Sequence, residues 1–297
     1  MTYDDFVESV KNELNKRNIL YAHEIVQKNG KGHDALILNI KNNVEHINIS
    51  PTLYLESIYE DDHEGLKINK VIDEVIGEYY KQEQKVTHFV TLMKKFETVT
   101  PYLNFKLINK DRNEEYVQKK GCLYKEFLDL YIVPIVSYDI YIVEITHSIM
   151  SGWGVSETLI FDACYNGLQN ESVMFKSVTE IMPLPRTGEE EIMYVLSNPQ
   201  ITYGASKILI PQVLKTVENT IGGKYWIIPS STHECIIVPL SADLDPYEIK
   251  EFIKEINSSD VISEANFLSN SLYKYTGVLG EEIKIVGEKK GGLNGKN

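Results

Sequence analysis

Tyr225–Pro239 reads YWIIPSSTHECIIVP, two short Ile- and Val-rich runs that enclose the polar residues Ser230, Ser231, Thr232, His233 and Glu234. Apolar runs of four to five residues bounded by proline are the signature of buried strands. The stretch therefore predicts a hairpin on a core, with the polar cluster at its turn. Downstream, Asp245 and Pro246 open a helix to about Asn257, Asp as cap and Pro in the first turn, with Glu248 suiting the helix dipole. Upstream, Pro211 opens a helix that runs to Gly222, and Ile192–Ser197 reads as a strand.

The same order of two strands and then a helix announced by Ser or Asp recurs near Ile19–Asp61 and Leu128–Leu168. Three such units imply an α+β fold with mixed or largely antiparallel sheets and helices packed on one face. At the N-terminus Phe6, Val7, Val10 and Leu14 fall at helical spacing over Tyr3–Lys16, and Thr2 with Asp5 forms a cap. Strands follow over Ile19–Val26 and Asp34–Ile40 around the hairpin signal Asn29-Gly30. Ser50-Pro51 predicts a short helix over Thr52–Tyr59, and the stripe Ile68, Val71, Ile72, Val75, Ile76 and Tyr79 a longer one over Leu66–Tyr80. Val86–Phe96 reads as helix, Tyr102–Asn109 as strand, and Lys110–Lys120 as a charged connection with one helical turn. Leu128–Val136 and Tyr138–Thr146 form a second hairpin, and Ser156 caps a helix ended by Asn166-Gly167. The prolines and acids of Pro183–Glu190 mark the best internal boundary, giving lobes over 1–185 and 186–280. Residues 281–297 read as a flexible tail too polar and glycine-rich to pack.

Composition narrows the function. Lys and Arg total 30 against 43 Asp and Glu, a formal charge of −13. That balance argues against a general binder of phosphate backbones, which needs a basic face. It suits either plain solubility or an acidic face offered to a basic protein partner. Cys122, Cys164 and Cys235 are widely spaced and fit buried small hydrophobes better than a disulfide framework or zinc cage. The first residues are acidic and amphipathic, and no apolar run reaches membrane-spanning length, so a cytoplasmic protein is expected.

Ser230, Ser231, His233 and Glu234 are the candidate catalytic residues. In an extended strand Ser231 and His233 share a face about 7 Å apart along the chain. A hydrolase would use His233 as general base and Ser231 or a water as nucleophile, with a carboxylate orienting the imidazole. Glu234 points away from a regular strand's shared face, and no G-x-S-x-G elbow is present. The competing expectation is that the serines bond the turn backbone and His233 a buried carbonyl. His233 and Glu234 with His147, or Asp61, Asp62, His63 and Glu64, offer metal-ligand chemistry without a metal-site spacing, so neither metal nor cofactor is expected. Ser151, Gly152 and Gly154 precede a helix start but lack the Walker lysine, and a turn holding Trp153 is the simpler reading. Tyr54, Tyr59, Tyr79, Tyr80, Tyr273 and Tyr275 suit a contact surface or the edges of a core.

From Met193 onward, MYVLSNPQITYGAS, IPQVL and GGKYWIIPSSTHECIIVP resemble an uncharacterised family of Firmicute bacteria, a domain of unknown function. Its members share a YVLTN-like strand, a G-A-S/A turn and a PSS-x-HE hairpin. NISPTLYLESIYED is similar to that family's N-terminal pattern, so the resemblance extends over residues 30–275. It marks Asn198, Gly204, Pro229, Ser230, Ser231, His233 and Glu234 as pattern positions and implies no established activity. Gly152–Val155 departs from the pattern. The leading expectation is a non-enzymatic protein-interaction or regulatory module, from the host or a mobile element, that binds no nucleic acid directly and no membrane; the alternative is the His233 hydrolase.

Overall fold

The structure is a computed structural model that describes residues 2–28, 31–38, 52–60, 73, 88–139, 141–181, 193–258, 266–278 and 280–287. The chain divides into two compact units, Met1–Pro101 with His147–Val155, and Tyr102–Thr146 with Ser156–Asn297.

In the first unit, helix α1 (Tyr3–Lys16) begins at a complete capping box. Thr2 Oγ1 accepts from the Asp5 N–H, and the Asp5 carboxylate accepts from the Thr2 N–H. Its apolar stripe packs with Leu36, Leu38, Leu53 and Leu55 in one cluster. The sheet beneath is antiparallel, ordered β1 (Tyr21–Lys28), β2 (Lys31–Leu38), β3 (Thr52–Tyr54). The register pairs Tyr21 with Leu38 and Lys28 with Lys31. Thr52–Tyr54, expected as helix, is strand, and helix α2 starts only at Leu55 and runs to Glu60. Tertiary pairing overrides the Ser-Pro start because Leu53, opposite Leu36, is buried by the strand's alternation. Tyr59 packs its ring on Tyr3 and Phe6. The helix expected over Leu66–Tyr80 lies outside the described residues, Asp73 excepted. The segment expected as one helix to Phe96 is helical over 88–92, breaks, and resumes as α3 (Phe96–Val99).

Helix α5 (His147–Trp153) completes this unit. Trp153 Nε1 donates to Met93 O at 2.7 Å and its ring lies 5.8 Å from that of Phe96. SGW thus anchors a helix by its indole.

The second unit carries two antiparallel sheets. In the first, β6 (Leu130–Tyr138) is central, with β4 (Leu103–Asn109) on one edge and β5 (Lys125–Phe127) and β7 (Tyr141–Glu144) sharing the other. Lys110–Lys120, expected as a connection, is the full helix α4. Asn109 caps it by accepting from the Arg112 N–H, and Gly121 ends it at φ 67°. Buried Asn113 and Val117 give it the inward face that its charged sequence hid. Helix α6 (Glu157–Asn170), capped by Ser156, runs past the expected stop at Gly167. Gly167 sits where a Cβ would fall 2.0 Å from Leu103 O, so it is the close approach of helix to strand and not a C-cap.

The second sheet is ordered β13 (Glu281–Ile285), β12 (Tyr273–Val278), β10 (Tyr225–Ile228), β11 (Cys235–Pro239), β9 (Tyr194–Ser197), β8 (Met174–Ser177). The YWIIP and CIIVP runs pair as expected, Tyr225 opposite Pro239 and Ile228 opposite Ile236. Short helix α7 (Val178–Ile181) follows β8, α8 (Pro211–Ile221) ends at Gly222 with φ 80°, and α9 (Pro246–Ser258) buries Ile249 and Ile253. Leu128–Leu168 and Tyr225–Asn257 thus each hold a hairpin followed by helix, whereas in Ile19–Asp61 strand β3 comes between the hairpin and α2. The boundary expected over Pro183–Glu190 lies outside the described residues, and β8 on its N-terminal side pairs with β9 on its C-terminal side. Residues 281–285, read as tail, are strand β13, where Ile283 packs against the main core cluster. Two isoleucines alternating among charged residues supply one apolar face to an edge strand, a signal the surrounding lysines and glycines masked.

Candidate functional site

The six residues Pro229–Glu234 form the loop between β10 and β11, so Ser231 and His233 do not share a strand face. Ser231 Oγ donates to Glu234 Oε1 at 2.7 Å and accepts from the His233 N–H at 3.0 Å. Ser230 Oγ reaches the same carboxylate oxygen at 3.1 Å and Glu234 O at 3.2 Å. No hydrogen bond joins the His233 ring to either serine. Instead His233 Nδ1 accepts from the Tyr203 N–H at 3.2 Å, which puts the proton of the neutral ring on Nε2. Glu234, expected to point away, is the acceptor that gathers both hydroxyls, because the loop is not extended.

The rest of the sequence pattern meets at this loop. Ser197 Oγ, at the end of β9, donates to His233 O at 2.7 Å. Gly204 opens the 3₁₀ helix Gly204–Leu209 against these atoms, and a Cβ there would fall 2.1 Å from Ser197 Oγ and 2.8 Å from His233 O. Asn198 closes the segment to Thr202: its Oδ1 accepts from the Thr202 N–H and its Nδ2 donates to Thr202 O and to Glu171 Oε1. Lys207, fully buried, donates to Leu168 O and Glu171 O at the end of α6 and pairs with Glu171 Oε2 at 2.8 Å. An ammonium on the last carbonyls of a helix satisfies groups the helix leaves open. Burial outweighs Glu171 there and draws the Lys207 pKa down.

A second polar cluster was not foreseen. Strand register places Lys106 of β4 opposite Val133 and Glu144 of β7 opposite Ile135, hence on one face of the sheet. Helix α4 brings Tyr116 and Lys120 to the same carboxylate. Lys106 Nζ donates to Glu144 Oε1, Lys120 Nζ to Oε2 at 2.7 Å, and Tyr116 O–H to Oε1 at 3.2 Å. Burial by itself would raise the Glu144 carboxyl, but two ammonium groups outweigh it and hold it well below the usual carboxylate range. Burial likewise disfavours the charge on Lys106, and Glu144 more than restores it. Lys106 Nζ also lies 5.5 Å from the centroid of the Tyr203 ring, whose other neighbour is His233 at 5.5 Å between centroids. The sequence held a signal for this cluster: a lone charge, of opposite sign, in each of two otherwise uncharged strands, LNFKLIN and YIVE.

On the opposite face of that sheet a cleft of about 400 Å³ is lined by Phe105, Phe127, Phe161, Tyr165 and Ile283, with Lys125 Nζ 4.1 Å over the Phe161 ring. Cys122, Cys164 and Cys235 are buried free thiols, and burial raises all three, Cys122 to about 11. Among the described residues no three His, Cys, Asp or Glu are placed to share a metal ion, and no helix is long and apolar enough to cross a membrane. Asp61, Asp62, His63 and Glu64 lie outside the described residues, and His147 belongs to the other compact unit.

A model of the family of unknown function DUF5688 matches residues 3–277, and the chain belongs to that family. No curated protein and no solved structure matches it.

Proposed function

We propose that the protein is a non-enzymatic interaction or regulatory module that docks a protein with a basic surface. The solvent face of α9 carries this reading. Phe252, 55% exposed, stands there beside exposed Glu248 and Glu255, with Glu251 paired to exposed Lys254 at 2.9 Å, and with Asp243, exposed Leu244 and Asp245 leading into the helix. An exposed aromatic flanked by carboxylates is complementary to an apolar socket with Lys or Arg on its rim. The chain's overall charge of −13 steers the same kind of partner. The bonds of the Ser230–Glu234 loop support a structural role for the pattern residues, since the hydroxyl a His233 base would need is already given to Glu234. Cytoplasmic location in a Firmicute cell, whether as a host or a mobile-element product, suits an acidic docking module.

The test is affinity capture from native extract with the wild-type chain beside a Phe252→Ser, Glu251→Lys variant. A partner enriched by the wild type, lost with the variant and released by 0.5 M salt as about a 4 Å screening length requires supports the docking face. Equal retention by both proteins removes it. Turnover of ester or phosphoester substrates that vanishes in His233→Ala would restore the hydrolase in its place.

A further inference from the structure

We infer that Lys106, Lys120 and Tyr203 form a recognition site for a small oxyanion, the carboxylate or phosphate group of a ligand. Lys106 is 8% exposed, and its ammonium has one hydrogen-bond acceptor among the described residues, Glu144. Two of its three N–H donors are left without an acceptor there. Lys120 is half-exposed, shares that acceptor and also donates to the Tyr116 hydroxyl at 2.9 Å. Two ammonium groups on one carboxylate leave a fixed positive charge in a sheltered place, inside a chain that is otherwise strongly acidic. One carboxylate balances only one of the two ammonium groups, so a second anion is the natural complement.

The Tyr203 hydroxyl adds a third donor. Its ring lies over Lys106, and the hydroxyl makes no hydrogen bond among the described residues. Tyr203 is held there under backbone strain: its φ is +53°, and that of Ile201, two residues earlier, is +48°. A β-branched residue in the left-handed region is a genuine outlier, and such strain persists where surrounding bonds over-determine it. Those bonds are the Asn198 clamp on Thr202 and the bond from the Tyr203 N–H to His233. The pattern residues Asn198, Gly204 and His233 thereby aim Tyr203 at Lys106, which gives the loop's architecture a purpose. Nothing in this site depends on the docking face of α9.

Calorimetric titration with inorganic phosphate and with acetate, at ionic strength matched by chloride, tests the site. Binding of at least one anion with a Kd below roughly 10 mM is expected. Binding should weaken at least tenfold in Tyr203→Phe, which keeps the ring and removes only the donor, and in half-exposed Lys120→Ala. Preference for phosphate or for acetate then names the group the ligand carries. Absence of binding to both anions, or binding retained in either variant with its near-ultraviolet circular dichroism intact, overturns the inference.

Discussion

At Gly204 one methyl group separates a tight loop junction from a clash. A Cβ would meet Ser197 Oγ, the Asn198 N–H and His233 O, all closer than 3 Å. Gly204→Ala should therefore cost about 1–3 kcal/mol, read as a lower urea midpoint at unchanged slope. At Glu144 the loss is electrostatic. Glu144→Gln leaves Lys106 buried beside a neutral amide and should destabilise by about 3–5 kcal/mol at pH 7. Because the native carboxyl lies below its unfolded value, its stabilisation is full above about pH 4.3 and fades as pH falls toward the native value. The gap in stability between wild type and Glu144→Gln should narrow by roughly tenfold in equilibrium constant per pH unit below that point, measured by urea titration at pH 5 and pH 3.5. The three thiols make a simpler expectation. Ellman's reagent at pH 8 should modify none of them in the native protein and all three after denaturation.

Among elements, the contact of α6 with β4 sets a sign. Alanine outranks glycine in a helix by about 1 kcal/mol, so Gly167→Ala would stabilise an isolated α6. In the folded chain the new Cβ falls 2.0 Å from Leu103 O, a backbone atom that moves only with its strand. The substitution should lower stability, and a raised urea midpoint would show that α6 can shift. Elements were legible in sequence where local chemistry and packing agree: α1 with its capping box, the paired runs of β10 and β11, and α8 between Pro211 and Gly222. They were misread where packing overrode the local signal. Thr52–Tyr54 has a helix start yet pairs with β2, and Gly167 looks like a stop yet is a contact. α4 hid its inward face because Asn113 supplies part of it by bonding Asn109 O.

For the whole molecule, each compact unit has its own buried cluster and one of the two tryptophans, Trp153 in the first and Trp226 in the second. Whether the two units unfold in separate transitions can be read from the two indoles. Fluorescence of a Trp153→Phe chain should report the second unit alone, and Gly167→Ala should shift that transition while leaving the one seen in Trp226→Phe in place; equal shifts in both would mean one cooperative unit. The strand and helix periods, the capped helix starts, the buried cysteines and the Tyr225–Pro239 hairpin are legible along the chain, because each is written in neighbouring residues. Tertiary structure alone decided what the hairpin's polar residues do. Ser231 bonds Glu234 because the loop is not extended, His233 turns to Tyr203 across 30 positions, and Lys106 finds Glu144 across 38. Those partners are chosen by register and loop closure, which no local pattern encodes.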